Sequence, residues 1–154
     1  PNGNKLMKKY IGFLLISCGC LFSCTSTKST IQNIDYKAIR PKIEKNKFVL
    51  VQYATDAKYG YDKDFPINIG VASLSSENYF MNLFFNGITD EQGKPVTFEK
   101  IDTCCPFPSK HSKMGAGLLH KYKVTLSENV TKELYFNIYE KGEILCPKGF
   151  KIAP

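Results

Sequence analysis

The sequence lacks most of the features that identify a function directly. It contains no GxSxG, GxxxxGK[ST], HExxH or GxGxxG motif, so it carries none of the common hydrolase, nucleotide-binding or zinc-protease signatures. It also lacks any cluster of four or more Lys and Arg residues. Nucleic-acid binding needs concentrated positive charge. The net charge of +7, part of which precedes Cys24, therefore indicates solubility and not a nucleic-acid partner.

The chain also lacks an apolar run long enough to cross a bilayer. Residues 10–23 are mostly apolar, but a membrane-spanning helix needs roughly 20 such residues. Lysines directly follow Met7, which we expect to be the true start, and this is the pattern of a bacterial export signal. A plain secretory signal is the alternative. Leu21 three residues before Cys24, with small Ser23 directly before it, favours a lipoprotein signal.

Cys24 is therefore the predicted lipid-attachment residue. Its thiol would take diacylglycerol as a thioether, and cleavage before it would free an amine for acylation. Two or three acyl chains, at about 0.8 kcal/mol per buried methylene, make a stable anchor. The expected partner is a membrane, the location is the cell envelope, and an unidentified envelope protein or ligand is a further expected partner. Because no acidic run follows Cys24, we expect the periplasmic face of the outer membrane.

Three regions follow from this interpretation. Residues 1–23 form the signal peptide, 24–47 contain the lipidated cysteine and a polar tether, and 48–154 form a single domain. At most a short helix near Arg40 is expected within the tether. The apolar fraction of 43% is typical of a globular protein.

Hydrophobic periodicity predicts an α+β fold, a small and mostly antiparallel sheet of about five strands with one packed helix. The helix is expected to start at Ser75 or Ser76, to bury Phe80, Leu83 and Phe84, and to end at Gly87 in a left-handed conformation. The expected strands are 48–53 (largely buried), 67–71, 96–101, 118–126 and 133–139, with a last short strand possible at 143–146.

The adjacent pair Cys104 and Cys105 is the most unusual feature of the domain, which otherwise contains only Cys146. An oxidising compartment favours a disulfide from Cys146 to one member of the pair. A direct bond between the neighbours would form a strained eight-membered ring. A redox-active pair is a third interpretation, and metal binding with His111 and His120 is a fourth. We assign no metal site, because adjacent cysteines ligate one tetrahedral ion poorly.

No catalytic residue and no cofactor are assigned. We interpret His120, in a strand pattern beside Tyr122, as a half-buried structural histidine, with a general base as the alternative. His111 lies in a polar loop and is expected to contact solvent. A possible binding loop contains Asp56, Tyr59 and Tyr61. It lacks the spacing and the closing glutamate of a calcium loop.

Short motifs occur in a characteristic order along the domain. They are DAKYGY (56–61), PINIG (66–70), FMNL (80–83), GKPV (93–96), TCCPF (103–107), LLHKYKV (118–124), LYFNIY (134–139) and PKGF (147–150). Over about residues 48–152 this pattern resembles a group of small lipoproteins from Bacteroidota, flavobacteria especially. The resemblance implies a lipid-anchored protein without an established molecular function.

Members of that group often carry the label 2-dehydro-3-deoxyphosphooctonate aldolase. The aldolase of that name resembles a TIM barrel, which needs about 250 residues and eight βα units. The present domain has about half that length, and an exported protein would not meet such cytosolic substrates. We therefore expect a binding or structural module, with a cysteine-dependent redox or other envelope enzyme as the alternative.

Overall fold

The computed structural model describes residues 29–71 and 73–154. Its helix α1 is Glu77–Asn86, and 3-10 turns lie at Leu74–Ser76 and Ser127–Asn129. The strands are β1 (Ile43–Glu44), β2 (Lys47–Phe48), β3 (Ile67–Asn68), β4 (Ile88–Thr89), β5 (Thr97–Pro108), β6 (Ala116–Thr125), β7 (Thr131–Asn137) and β8 (Lys151–Ile152). The predicted signal peptide and Cys24 lie outside the described residues.

The main sheet has four strands in the order β3-β7-β6-β5. β6 pairs antiparallel with both β5 and β7, whereas the short β3 runs parallel to β7. Alternation in β6 buries His120, Tyr122 and Val124 and leaves Lys121 and Lys123 partly exposed. Two short antiparallel pairs, β1-β2 and β4-β8, complete the structure. The predicted α+β fold with a mostly antiparallel sheet and one helix is confirmed.

Helix α1 packs on the sheet through aromatic side chains. Phe84 meets Phe136 of β7 edge to face, with ring centroids 5.2 Å apart, and Phe85 stacks on Phe98 of β5 at 4.1 Å. Leu83 and Phe84 are buried as predicted, but Phe80 is only partly buried. Among the described residues, no helix combines the length and the apolar character that crossing a membrane requires.

Gly87 does end the helix, but the predicted left-handed conformation is wrong. Its φ is −83° and its ψ is −4°, a conformation with negative φ that does not require glycine. The reason for glycine here is space. A Cβ on residue 87 would lie 2.6 Å from the carbonyl oxygen of Phe48. Glycine thus lets the end of α1 approach the backbone of β2.

The described part of the predicted tether is attached to the domain. Arg40 donates hydrogen bonds to the carbonyl oxygens of Ile69 and Gly70, at 3.0 and 2.6 Å. Its guanidinium carbon also lies 4.6 Å from the ring centroid of Phe80. In place of a helix near Arg40, the β1-β2 hairpin follows. Residues 29–47 are therefore a part of the folded unit, which does not begin at Phe48.

Two strand predictions are also corrected. In the stretch 48–53, Phe48 and Leu50 are buried but Val51 is 81% exposed, so the stretch has one buried face and is not largely buried. Its only strand residue is Phe48, at the end of β2. The possible strand at 143–146 is reduced to a single bridge between Tyr53 and Cys146. Apolar composition alone does not distinguish a regular strand from an extended segment with irregular pairing.

Replacing Gly87 with alanine should destabilise the fold. The added methyl would press on the Phe48 carbonyl, a backbone atom that cannot rotate away, so we expect a loss of about 1–3 kcal/mol. Urea unfolding measures this as a lower midpoint at an unchanged slope. Asn82→Ala, on the exposed side of the same helix, is the control and should be nearly neutral. Equal effects of the two substitutions would contradict the steric explanation.

Candidate functional site

A groove of about 730 Å³ runs between the N-terminal segment and the extended segment that follows β2. It is lined on one side by residues 38–42 and on the other by residues 143–145, with Val49, Val51 and Gln52 between them. Arg40 holds the first side in place through its bonds to Ile69 and Gly70. The groove therefore joins the two segments that flank the β1-β2 hairpin to residues 143–145, which are distant from them in sequence.

Val51 and Gln52 line this groove, and one edge of the backbone of residues 51–53 is unpaired within the described part of the chain. Cys146 donates to the carbonyl oxygen of Gln52 at 3.0 Å, and Ala54 donates to the carbonyl oxygen of Cys146 at 2.9 Å. Because backbone groups alternate in direction along an extended chain, those of Val51 and Tyr53 point to the opposite side. Within residues 29–71 and 73–154 they have no hydrogen-bond partner. Such an edge can pair with another extended chain.

Two apolar side chains at the groove are strongly exposed. Ile39 is 90% and Val51 81% exposed, which is costly unless another apolar surface covers them. Lys42, Glu44 and Glu143 bring charges of both signs to the same groove. The arrangement fits an extended chain with alternating apolar and polar side chains better than a strongly charged ligand.

The residues of the predicted binding loop make intramolecular hydrogen bonds. Tyr59 is fully buried, and its hydroxyl donates to the carbonyl oxygen of Glu143 and accepts from the N–H of Leu145. The hydroxyl of Tyr61 donates to the carbonyl oxygen of Lys148 at 2.6 Å. Asp56 accepts from the N–H of Lys58 within its own turn. Tyr59 indirectly supports the groove, because it positions residues 143–145.

The expected bridge from Cys146 does not form. Cys104 and Cys105 are bonded to each other, and Cys146 is a buried free thiol. Burial raises the pKa of Cys146 to about 12, so its reactive thiolate is disfavoured. In the part of the chain that the structure describes, no three His, Cys, Asp or Glu side chains come together in a group that could hold a metal ion.

A buried polar cluster joins α1 to β6. Glu77 Oε1 lies 2.5 Å from His120 Nδ1 and accepts from the Tyr122 hydroxyl at 2.7 Å. Lys100 Nζ lies 3.3 Å from the same oxygen and 2.8 Å from His120 Nδ1. An ionised carboxylate has no proton to donate, so we assign the shared proton to His120 Nδ1. Lys100 then acts on the pair through its charge and its contact with Glu77.

Opposing effects set the protonation of this cluster. Burial raises the pKa of Glu77, but the hydrogen bonds from Tyr122 and His120 and the charge of Lys100 outweigh it and lower that pKa below its usual value. Burial lowers the pKa of His120, and this effect exceeds the opposing attraction of Glu77. Glu77 is thus ionised and His120 neutral at pH 7. The predicted structural role of His120 fits this buried, hydrogen-bonded position.

A second cluster contains residue types of a hydrolase but not the required arrangement. Glu140 is buried and accepts from Ser109 Oγ at 2.5 Å, from His111 Nδ1 at 3.0 Å and from the hydroxyl of Tyr36. In a catalytic triad the histidine lies between the serine and the acid. Here the acid lies between them, so His111 cannot activate Ser109. The cluster instead attaches Tyr36, in the N-terminal segment, to the loop after β5.

Neither the groove nor the Glu77 cluster is predicted by the sequence patterns. Ile39 was a weak signal, as an apolar residue in a segment interpreted as a polar tether. Nothing in the sequence pairs Glu77 with His120, which lie 43 positions apart. Comparisons with protein-family models, curated proteins and solved structures gave no match to this chain. Its own residues therefore carry the functional argument.

The Glu77 cluster predicts acid sensitivity. Folding lowers both pKa values, so the unfolded chain binds more protons, and the free energy of unfolding falls as the pH decreases. The His120 contribution is complete above its usual pKa of 6.5 and is lost below it, and that of Glu77 is lost below 4.5. Urea unfolding measured between pH 7.5 and pH 5 should show the loss of stability that comes from His120. His120→Asn, which keeps a donor near the Nδ1 position, should flatten it. An equal slope in both proteins would refute this assignment.

Proposed function

We propose that this chain is a lipid-anchored protein of the bacterial cell envelope whose domain binds an extended peptide segment. The observation that carries the binding proposal is the free backbone edge at Val51, beside exposed apolar side chains. Main-chain pairing supplies affinity in such complexes, and pockets for alternate side chains supply specificity. The expected partner is an exposed, extended segment of another envelope protein.

The sequence supports the anchor. The spacing of Leu21, Ser23 and Cys24 favours lipid attachment at Cys24, and the resemblance to Bacteroidota lipoproteins agrees with it. The periplasmic face of the outer membrane is the proposed location. The groove is also close to the anchor along the chain, since Asn33 and Asp35 line it. A binding surface near a lipid anchor would meet partners at the membrane surface.

The aldolase label of the resembling proteins is not part of this proposal. A TIM barrel closes eight parallel strands into a ring, with its active site at one end. The main sheet described here has four strands, and two of its three strand pairings are antiparallel.

Substituting Cys24 with alanine should abolish the anchor. The wild-type protein should partition with membranes and carry the mass of two or three acyl chains. C24A should either accumulate as an unprocessed precursor or appear without lipid in the soluble fraction. Fractionation and intact mass spectrometry distinguish these forms. Normal processing of C24A, together with continued membrane association, would contradict the proposed anchor.

The groove should bind a peptide that can form main-chain hydrogen bonds. A labelled ten-residue peptide of alternating Val and Thr should bind the lipidated protein in micelles, as measured by fluorescence anisotropy. The same peptide with proline at every second position lacks half of its N–H donors and should bind weakly.

Val51→Asp should weaken this binding at least tenfold, or about 1.4 kcal/mol. Val130→Asp is a matched control, because Val130 is 49% exposed in the turn between β6 and β7. Absence of saturable binding would refute the proposed function. An equal loss in the two variants would place the binding outside the groove.

A further inference from the structure

The disulfide between neighbouring residues lies at an irregularity of the outer strand β5. Cys104 is opposite Leu119 and Phe107 is opposite Gly117, so two residues of β5 face one residue of β6. This is a β-bulge, which bends the strand and re-aims its side chains. Cys105, within the bulge, has a φ of +59°. That left-handed conformation is unfavourable for an L residue other than glycine.

The bulge and the N-terminal segment line the same cavity. Cys105, Pro106 and Phe107 line a small cavity of about 260 Å³ together with Thr30 and Ile31. Asp64 completes the other side of this cavity, where it accepts from the hydroxyl of Thr30. The carbonyl oxygen of Asp64 also accepts from the N–H of Gln32 at 2.8 Å.

The residues after the bulge are linked to the same segment through Glu140. Phe107 is buried, and its ring centroid lies 6.1 Å from that of Tyr139. Two residues later, Ser109 donates to Glu140, which also accepts from Tyr36. Cys105–Ser109 therefore line the cavity beside the first attachment and contact Glu140 at the second.

We propose that Cys104 and Cys105 form a thiol–disulfide exchange site that controls the attachment of residues 30–36 to the domain. In the oxidised form the bond between the neighbours keeps Cys105 in its left-handed conformation, and the segment is attached. In the reduced form Cys105 can return to an extended conformation, which shifts Cys105–Phe107 away from Thr30 and Ile31.

The co-reactant is a dithiol, such as a protein with two neighbouring cysteines. One thiolate of the dithiol attacks a sulfur of the pair, which forms a mixed disulfide and releases the other cysteine as a thiolate. The second thiol of the reductant, as its thiolate, then attacks the mixed disulfide and releases the second cysteine. Two electrons pass to the pair, each released thiolate takes up one proton, and the reductant becomes a disulfide.

Both sulfurs belong to partly exposed residues, so a reductant can reach them. Cys146 cannot replace the reductant, because it is fully buried and its thiol lies beside the carbonyl oxygen of Pro147. A consequence for the groove rests on the proposed function. Asn33 and Asp35 line the groove and belong to the attached segment, so reduction would also change the peptide site.

Hydrogen exchange of the full chain tests this inference. Peptides covering residues 29–40 report the amides of Gln32 and Asp35, which donate to Asp64 and Lys141, both at 2.8 Å. Alkylation and peptide mapping report the state of Cys104 and Cys105. Dithiothreitol should make both cysteines alkylatable and raise exchange in 29–40 at least tenfold, while exchange in β6 and β7 stays unchanged.

The double variant C104S/C105S is the matched control. It should show the faster exchange in 29–40 without reductant and no response to dithiothreitol. Unchanged exchange in 29–40 of the reduced wild type would overturn the proposal, as would free thiols at both positions before reduction. Faster exchange throughout β6 and β7 on reduction would show a bond that supports the whole fold and would also overturn it. These readouts do not use the peptide, so they can fail independently of the proposed function.

Discussion

The packing of the helix on the sheet depends on Tyr122 of β6. Its ring contacts Phe85 and Phe136, and its hydroxyl donates to Glu77. Glu77 and Phe85 lie at the two ends of α1 on the same face, because they are about two turns apart. One strand residue thus holds both ends of the helix. A shift of the helix would leave the Glu77 carboxylate buried without its partners, which is strongly unfavourable.

The N-terminal segment depends in turn on the sheet. A buried pair, Asn68 and Asn137, links β3 to β7 at 3.1 Å, and Asn68 also donates to the carbonyl oxygens of Gln32 and Asn33. Arg40 extends this attachment toward the groove. Residues 30–35, which follow the proposed lipid anchor, therefore line both the groove and the cavity beside the cysteine pair. Anchoring, peptide binding and redox control would share one segment.

Much of the fold could be predicted from local patterns, and its irregular parts could not. Alternation in β6 and β7 and the apolar stripe of α1 identified the main elements, because burial of one face imposes a period on the sequence. The apolar composition of the stretch 48–53 predicted a largely buried strand, but apolar residues such as Val51 are exposed at the groove. The choice of disulfide partner and the conformation of Gly87 depend on distances across the structure, and no sequence pattern reports those.

The sequence by itself determined the α+β class, the main strands and helix, and the prediction of a lipid anchor at Cys24, because periodicity and signal spacing are local properties. Only the tertiary structure decided which polar residues meet. Glu77 reaches His120 across 43 positions, and the groove joins residues 38–42 to residues 143–145. Such contacts follow from strand order and helix packing, which local preferences do not encode. The Glu77 cluster and the groove therefore depend on the tertiary structure.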